Sequence, residues 1–131
     1  MGQTDIEKRT CVRFMIPGAA VNYKKAKSFF RKNKYLVEPF PLLDISRGGI
    51  RFFAQKFLKF ESLITLKISV PEETAPLTLL GIVRWQRPGL DPAYKCEIGV
   101  QFLPYGKKKS QNDPHVLIKI IDLEKKYADK I

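Results

Sequence analysis

The feature that most constrains this chain is the stretch from Leu63 to Val70. Ile64, Leu66, Ile68 and Val70 alternate there with Thr65, Lys67 and Ser69. A period of two sends successive side chains to opposite faces, so the segment reads as a strand with one apolar side turned to a core and one polar side turned to water. Other β-rich runs lie on both sides of it, separated by proline and glycine. Cys11 to Ile16 ends at Pro17-Gly18, and Ala19 to Lys25 follows. Leu42 leads into Asp44, and Ile50 to Ala54 comes after Arg47-Gly48-Gly49. Leu77 to Gln86 and Lys95 to Leu103 flank the turn Arg87 to Pro92. The spacing from Leu63 onward suits an antiparallel meander.

Two segments interrupt this pattern. Lys24 to Lys34 is basic, carries Phe29-Phe30, and fits either an extended hairpin or a short helix. Tyr35 to Ser46 contains Pro39 and Pro41; proline cannot donate to a central ladder, so this stretch reads as extended and edge-like. Near the C-terminus, Asp113-Pro114 is an N-cap followed by proline at the first helical position, and Val116, Ile120, Leu123 and Tyr127 then share one helical face. The expectation is a mainly all-β domain, a six-stranded antiparallel β-barrel closed to remove its edges, with a C-terminal α-helix over about residues 113–128 covering one end.

Composition narrows the function classes. With 131 residues, 44% hydrophobic, the chain can bury a core without disulfides or metal. The 24 Lys and Arg against 13 Asp and Glu give a net charge of +11, which favours an anionic partner: a nucleotide, a nucleic acid or an acidic protein surface. Cys11 and Cys96 lack a Cys-x-x-Cys partner and the chain has a single histidine, His115, so no metal site is expected. No nucleophile and base constellation stands out, and no catalytic residue is assigned. The N-terminus has no apolar signal core, Ile6 breaks the myristoylation pattern, and no apolar run approaches the ~20 residues of a membrane span. A cytoplasmic protein without membrane insertion is expected.

Two short motifs carry chemistry. Arg9 and Arg13 are four apart, which places them on one side of the chain whether it is extended or helical. A guanidinium is a planar fork of donors that matches the O6 and N7 edge of guanine and can also grip a phosphate. Asp44 and Ser46 are two apart at a strand end and share a face; an ionised Asp can accept from N1–H and N2–H of guanine, and Ser46 can add a hydroxyl contact. Gly49 supplies backbone freedom for the turn and room for a flat base. Taken singly, Arg-x-x-x-Arg is a common solvated pair in a basic chain, and Asp-x-Ser-x-x-Gly fits an Asx turn that binds nothing. Their occurrence in order is the signal.

With these motifs the sequence resembles the PilZ family, whose hallmarks are Arg-x-x-x-Arg and Asp/Asn-x-Ser-x-x-Gly. Arg9, Arg13, Asp44, Ser46 and Gly49 match them. Gly81-Ile-Val-Arg-Trp85 and Tyr94-Lys-Cys-Glu-Ile-Gly99-Val-Gln-Phe102 look like the family's downstream strands, so the resemblance spans roughly residues 8–103. It implies a six-stranded barrel that binds cyclic di-GMP, often as an intercalated dimer of the ligand, with no catalysis. It also implies that Arg9 and Arg13 contact guanine and phosphate, that Asp44 and Ser46 contact a guanine, and that Gly49 forms the turn admitting it. Lys8, Arg47 and Gly48 are secondary candidates. Residues 1–13 would form a mobile segment that ligand bridges to a barrel spanning 8–131, changing the surface shown to a protein effector in motility, adhesion or another envelope process.

Two alternatives stand beside this. Lys24, Lys25, Lys27, Arg31, Lys32 and Lys34 around Phe29, Phe30 and Tyr35 could bind single-stranded nucleic acid by stacking between phosphate contacts, although charge runs are more often solvated faces. A PilZ-like adaptor that does not use the nucleotide is the other. Trp85, beside Arg84 on a strand, is expected in the core or under a loop rather than as an open stacking platform, and Lys107-Lys108-Lys109 reads as a solvated linker into the helix.

Overall fold

The computed structural model of the chain describes residues 12–25 and 39–128. Six strands, β1 (Ala20–Lys25), β2 (Phe40–Ser46), β3 (Gly49–Ala54), β4 (Leu63–Ser69), β5 (Leu77–Pro88) and β6 (Cys96–Phe102), are followed by the helix α1 (Pro114–Tyr127). They close into a barrel in the order β1-β2-β3-β6-β5-β4, with antiparallel neighbours throughout. The meander expected from Leu63 onward is present as β4-β5-β6, and β2-β3 form a second hairpin. Closure comes from the non-sequential pairs β1 with β4 and β3 with β6.

The alternation in β4 is realised as read. Ile64, Leu66 and Ile68 are at most 1% exposed, while Thr65 and Lys67 are half-buried on the other side. Each such side chain contributes on the order of 1.5–3 kcal/mol when taken from water. Val21, Ile45, Ile50, Phe52, Val83 and Ile98 fill the same interior. One end of the barrel is covered by α1, whose Ile120 and Leu123 are buried with Val116 and Tyr127 packed alongside. Asp113 caps this helix by accepting from the His115 amide at 2.9 Å, and Pro114 opens it.

Residues 12–16 depart from the expected first strand. They make one isolated bridge, Phe14 to Ile45, in which each amide donates to the other's carbonyl. The reason is local. Pro17 has no amide to donate, and Gly18 sits at φ +80, so the chain turns back at once and enters β1. Phe14 and Ile16 still bury their side chains, at 4% and 3% exposure. Pro41 lies within β2 at the thinnest seam of the barrel, where β1 and β2 match only at Ala20–Pro41 and Val21–Phe40. The Phe14 bridge extends the covering of β2 beyond that seam. Cys11 and the bulk of the basic aromatic stretch, residues 26–38, lie outside the described residues.

Two register shifts shape the outer surface, one between Leu42 and Asp44 on β2 and one between Val83 and Trp85 on β5. A bulge inserts an unpaired residue and re-aims the side chains that follow it. Beyond these shifts Asp44 lies opposite Arg51, Arg51 opposite Gly99, and Gly99 opposite Trp85. A single row thus crosses β2, β3, β6 and β5.

Candidate functional site

Asp44 is the centre of that row. Its carboxylate is nearly buried, with the side chain 9% exposed, yet it belongs to the outer face because its neighbour Ile45 points into the core. A carboxylate held this far from water needs partners, and two arginines supply them. Arg13 donates from Nη1 to Oδ1 at 2.8 Å. Arg51, directly across the hairpin, donates from Nε to Oδ1 at 3.0 Å and to Oδ2 at 2.9 Å, and from Nη2 to Oδ2. The hydrogen bonds to Asp44 push the Arg51 guanidinium further above its ordinary range against the opposing effect of burial, and the charges of Asp44 and then Glu97 add to the rise.

The cluster continues along the face. Glu97 on β6 is buried and accepts from Arg87 Nε at 3.0 Å and Nη2 at 2.8 Å, and the Arg87 guanidinium stands 5.5 Å from the centre of the Trp85 ring. Arginines and carboxylates therefore alternate from the segment before β1 to β5, with a flat indole at the far end. Trp85 is half-buried on the outer face rather than in the core as expected. The register shift at Val83 turns its ring over Gly99, where any Cβ would collide with the indole. The close approach explains the glycine.

The second motif closes on itself. Ser46 is 4% exposed and its Oγ accepts from the Gly48 amide at 3.2 Å, the arrangement of a turn-stabilising serine. Gly48 is the open position, since an added Cβ would meet nothing within 4 Å. Gly49 faces the opposite constraint. Its φ is not in the left-handed region, and a Cβ there would run into the backbone carbonyl of Val100 on β6. Gly49 lets β3 approach β6 closely, which the sequence reading attributed to turn freedom.

Arg47 points away from Asp44. Its Nε and Nη2 donate to Glu124 on α1 at 3.0 and 3.3 Å, and its carbonyl accepts from the Tyr105 hydroxyl at 2.7 Å. The turn between the hairpin strands is thereby tied to the C-terminal helix. Of the residues singled out from sequence, Arg13, Asp44 and Ser46 come together on one face with Gly48 and Gly49 at its edge, and Arg47 is engaged by the helix. Lys8 and Arg9 lie outside the described residues. Arg51 and Arg87 escaped the sequence reading. The alternation of Ile50, Phe52 and Ala54 inward does place Arg51 outward, but its meeting with Asp44 depends on strand register.

Among the described residues no cluster of His, Cys, Asp and Glu is suited to hold a metal ion, and no described helix is long and apolar enough to cross a membrane. A closed six-stranded antiparallel barrel whose outer face presents a buried aspartate between arginines beside a glycine turn defines a class of small β-barrel domain. The family model for the PilZ domain matches residues 7–112, and the chain belongs to the PilZ family. No curated protein is significantly similar to it in sequence.

Solved structures share the fold. The Klebsiella MrkH protein (K. pneumoniae) in complex with cyclic di-GMP superposes with a TM-score of 0.57 at 19% identity, covering 88% of this chain and 50% of MrkH. A second MrkH structure, described as a cyclic di-GMP-dependent transcription regulatory factor, gives 0.53 at 19% identity over 86% of this chain and 49% of that one. The PilZ domain of YcgR from Escherichia coli with cyclic di-GMP gives 0.52 at 16% identity, covering 95% of this chain and 99% of that domain. The chain thus spans about half the length of MrkH and nearly all of the YcgR domain.

Proposed function

We propose that this chain is a cytoplasmic cyclic di-GMP receptor that acts through binding and has no catalytic role. The observation that carries the reading is the convergence of Arg13, the second arginine of its motif, on Asp44 of the Asp-x-Ser-x-x-Gly motif. Membership of the PilZ family and the likeness to two proteins solved with cyclic di-GMP support it. In this reading Asp44 accepts donors from the Watson–Crick edge of a guanine and Ser46 adds a hydroxyl contact. Arg13 and Arg9 grip guanine O6/N7 and phosphate, and Gly48 leaves the approach clear. Lys8 adds positive charge in this reading, and the Trp85 ring offers a flat surface along the same row.

Ligand can shift the protein only through differential affinity for its arrangements. Here Arg13 is half-exposed and, among the described residues, donates a single hydrogen bond, to Asp44, so its transfer from Asp44 to the ligand is the step that reshapes the face. The altered face is read in trans by a protein effector in motility, adhesion or another envelope process. Calorimetry with cyclic di-GMP on the wild type and on Arg9→Ala, Arg13→Ala and Asp44→Ala tests the pocket: binding at micromolar ligand that is lost in the variants is expected. Its absence from the wild type refutes the reading. Weak binding to oligonucleotides that falls steeply with salt would instead favour a nucleic-acid-binding barrel, the reading suggested by the net charge of +11. Amide exchange in residues 3–13 that is the same with and without saturating ligand would rule out the bridging of that segment.

A further inference from the structure

Arg51 belongs to neither motif, yet it makes the larger share of the contacts to Asp44. The two arginines on this carboxylate are unequal. Arg13 arrives from a segment attached to β2 by one bridge, is 48% exposed on its side chain, and donates one hydrogen bond to Oδ1. Arg51 arrives from the register position directly opposite, is 28% exposed, and reaches both carboxylate oxygens. An aspartate χ2 is a broad torsion that does not by itself fix the carboxylate plane. A guanidinium fork on both oxygens does fix it, and a lysine cannot reproduce that fork.

We infer that Arg51 is the positioning residue of the site: it holds the Asp44 carboxylate in one orientation so that Oδ1, the oxygen on which Arg13 rests, is presented to the ligand. The inference rests on the proposed function and goes beyond it, because it separates a fixed arginine from an exchangeable one. Guanine presents planar N–H donors as a guanidinium does, so a base can take the place of Arg13 on Oδ1 while Arg51 stays. The charge of Glu97, next along the row, favours the charged form of Arg51. Arg51 need not touch the ligand in this arrangement. Its effect on affinity passes through Asp44.

The test is a mutant cycle on ligand affinity with cyclic di-GMP itself, followed by NMR titration to millimolar ligand so that weakened variants retain measurable constants. Arg51→Met and Arg51→Lys are each made in the wild-type protein and in Asp44→Asn, which keeps an acceptor oxygen but removes the charge that Arg51 grips. Loss of an oriented charged acceptor weakens binding on the order of tenfold or more. That loss is expected for both Arg51 variants in the Asp44 background, with less than about threefold further loss in Asp44→Asn, since there the fork has nothing to orient. Thermal melts confirm that the variants are folded, and Arg51→Lys keeps the alkyl stem and charge should Arg51→Met not fold. Equal losses in both backgrounds would make Arg51 a direct ligand contact, and no loss in the Asp44 background would make it structural; either overturns the inference. A wild type that does not bind cyclic di-GMP refutes the proposed function and this inference with it, whereas wild-type binding with either of those two patterns overturns the inference alone.

Discussion

Removing the Asp44 carboxylate without ligand present measures how much of the fold hangs on the site. Asp44→Ala takes away the acceptor for one Arg13 donor and for the Arg51 fork. The Arg51 pair is shielded, with side chains 28% and 9% exposed, and hydrogen bonds to a charged group are worth about 1.5–3 kcal/mol net. Arg13 is 48% exposed, so water screens its pair to about 0.5 kcal/mol. The variant is therefore expected to lose about 2–3.5 kcal/mol, which leaves a domain of typical stability, ~5–15 kcal/mol, folded. Urea unfolding at neutral pH reads this directly, with the m-value checked for constancy. Double-mutant cycles then apportion it: a coupling of about 1.5–2.5 kcal/mol is expected between Asp44 and Arg51, and about 0.5 kcal/mol or less between Asp44 and Arg13. A coupling to Arg13 equal to or larger than that to Arg51 would refute the assignment of one fixed and one exchangeable arginine.

Gly49→Ala forces a Cβ into the Val100 carbonyl and is expected to cost about 2–4 kcal/mol, while Gly48→Ala, facing open space, stays within about 1 kcal/mol of the wild type; thermal unfolding compares them. Glu124→Gln breaks the tie between Arg47 and α1, and should speed amide exchange in the helix while costing about 0.5–1 kcal/mol. Unchanged exchange there would mean that the ion pair does not secure the helix. Burial pushes the Cys96 thiol and the Tyr23 hydroxyl above their ordinary values of 9.0 and 10.0. Both groups are neutral when protonated, so their contribution is fully present below those values and is lost as pH rises through the raised ones. Urea stability should accordingly fall above about pH 9, less so in Cys96→Ala, and an identical slope in that variant would exclude the thiol as a cause.

The strands that carry strict alternation were legible in the chain itself, because a period of two has one physical meaning when one face is buried. Ile64, Leu66 and Ile68 went inward as read, and the Asp113-capped helix from Pro114 formed with the expected face on the core. The sequence also placed Asp44 and Ser46 on one face, since spacing within a strand is local. It could not determine what lies across from them. Whether Asp44 meets Arg51, and whether Trp85 lies over Gly99 or inside the barrel, depends on register, and register here is reset by unpaired residues at two bulges that no periodicity announces. For the same reason Gly49 read as a turn glycine, although its need is the closeness of Val100 on a strand about fifty positions away. The arginine motif and the aspartate motif are thus properties of the chain. The row of charges exists only once closure of the barrel has brought β3 against β6, and the division of Asp44 between a fixed and an exchangeable guanidinium is set by the register of the β2-β3 hairpin and by the Phe14–Ile45 bridge.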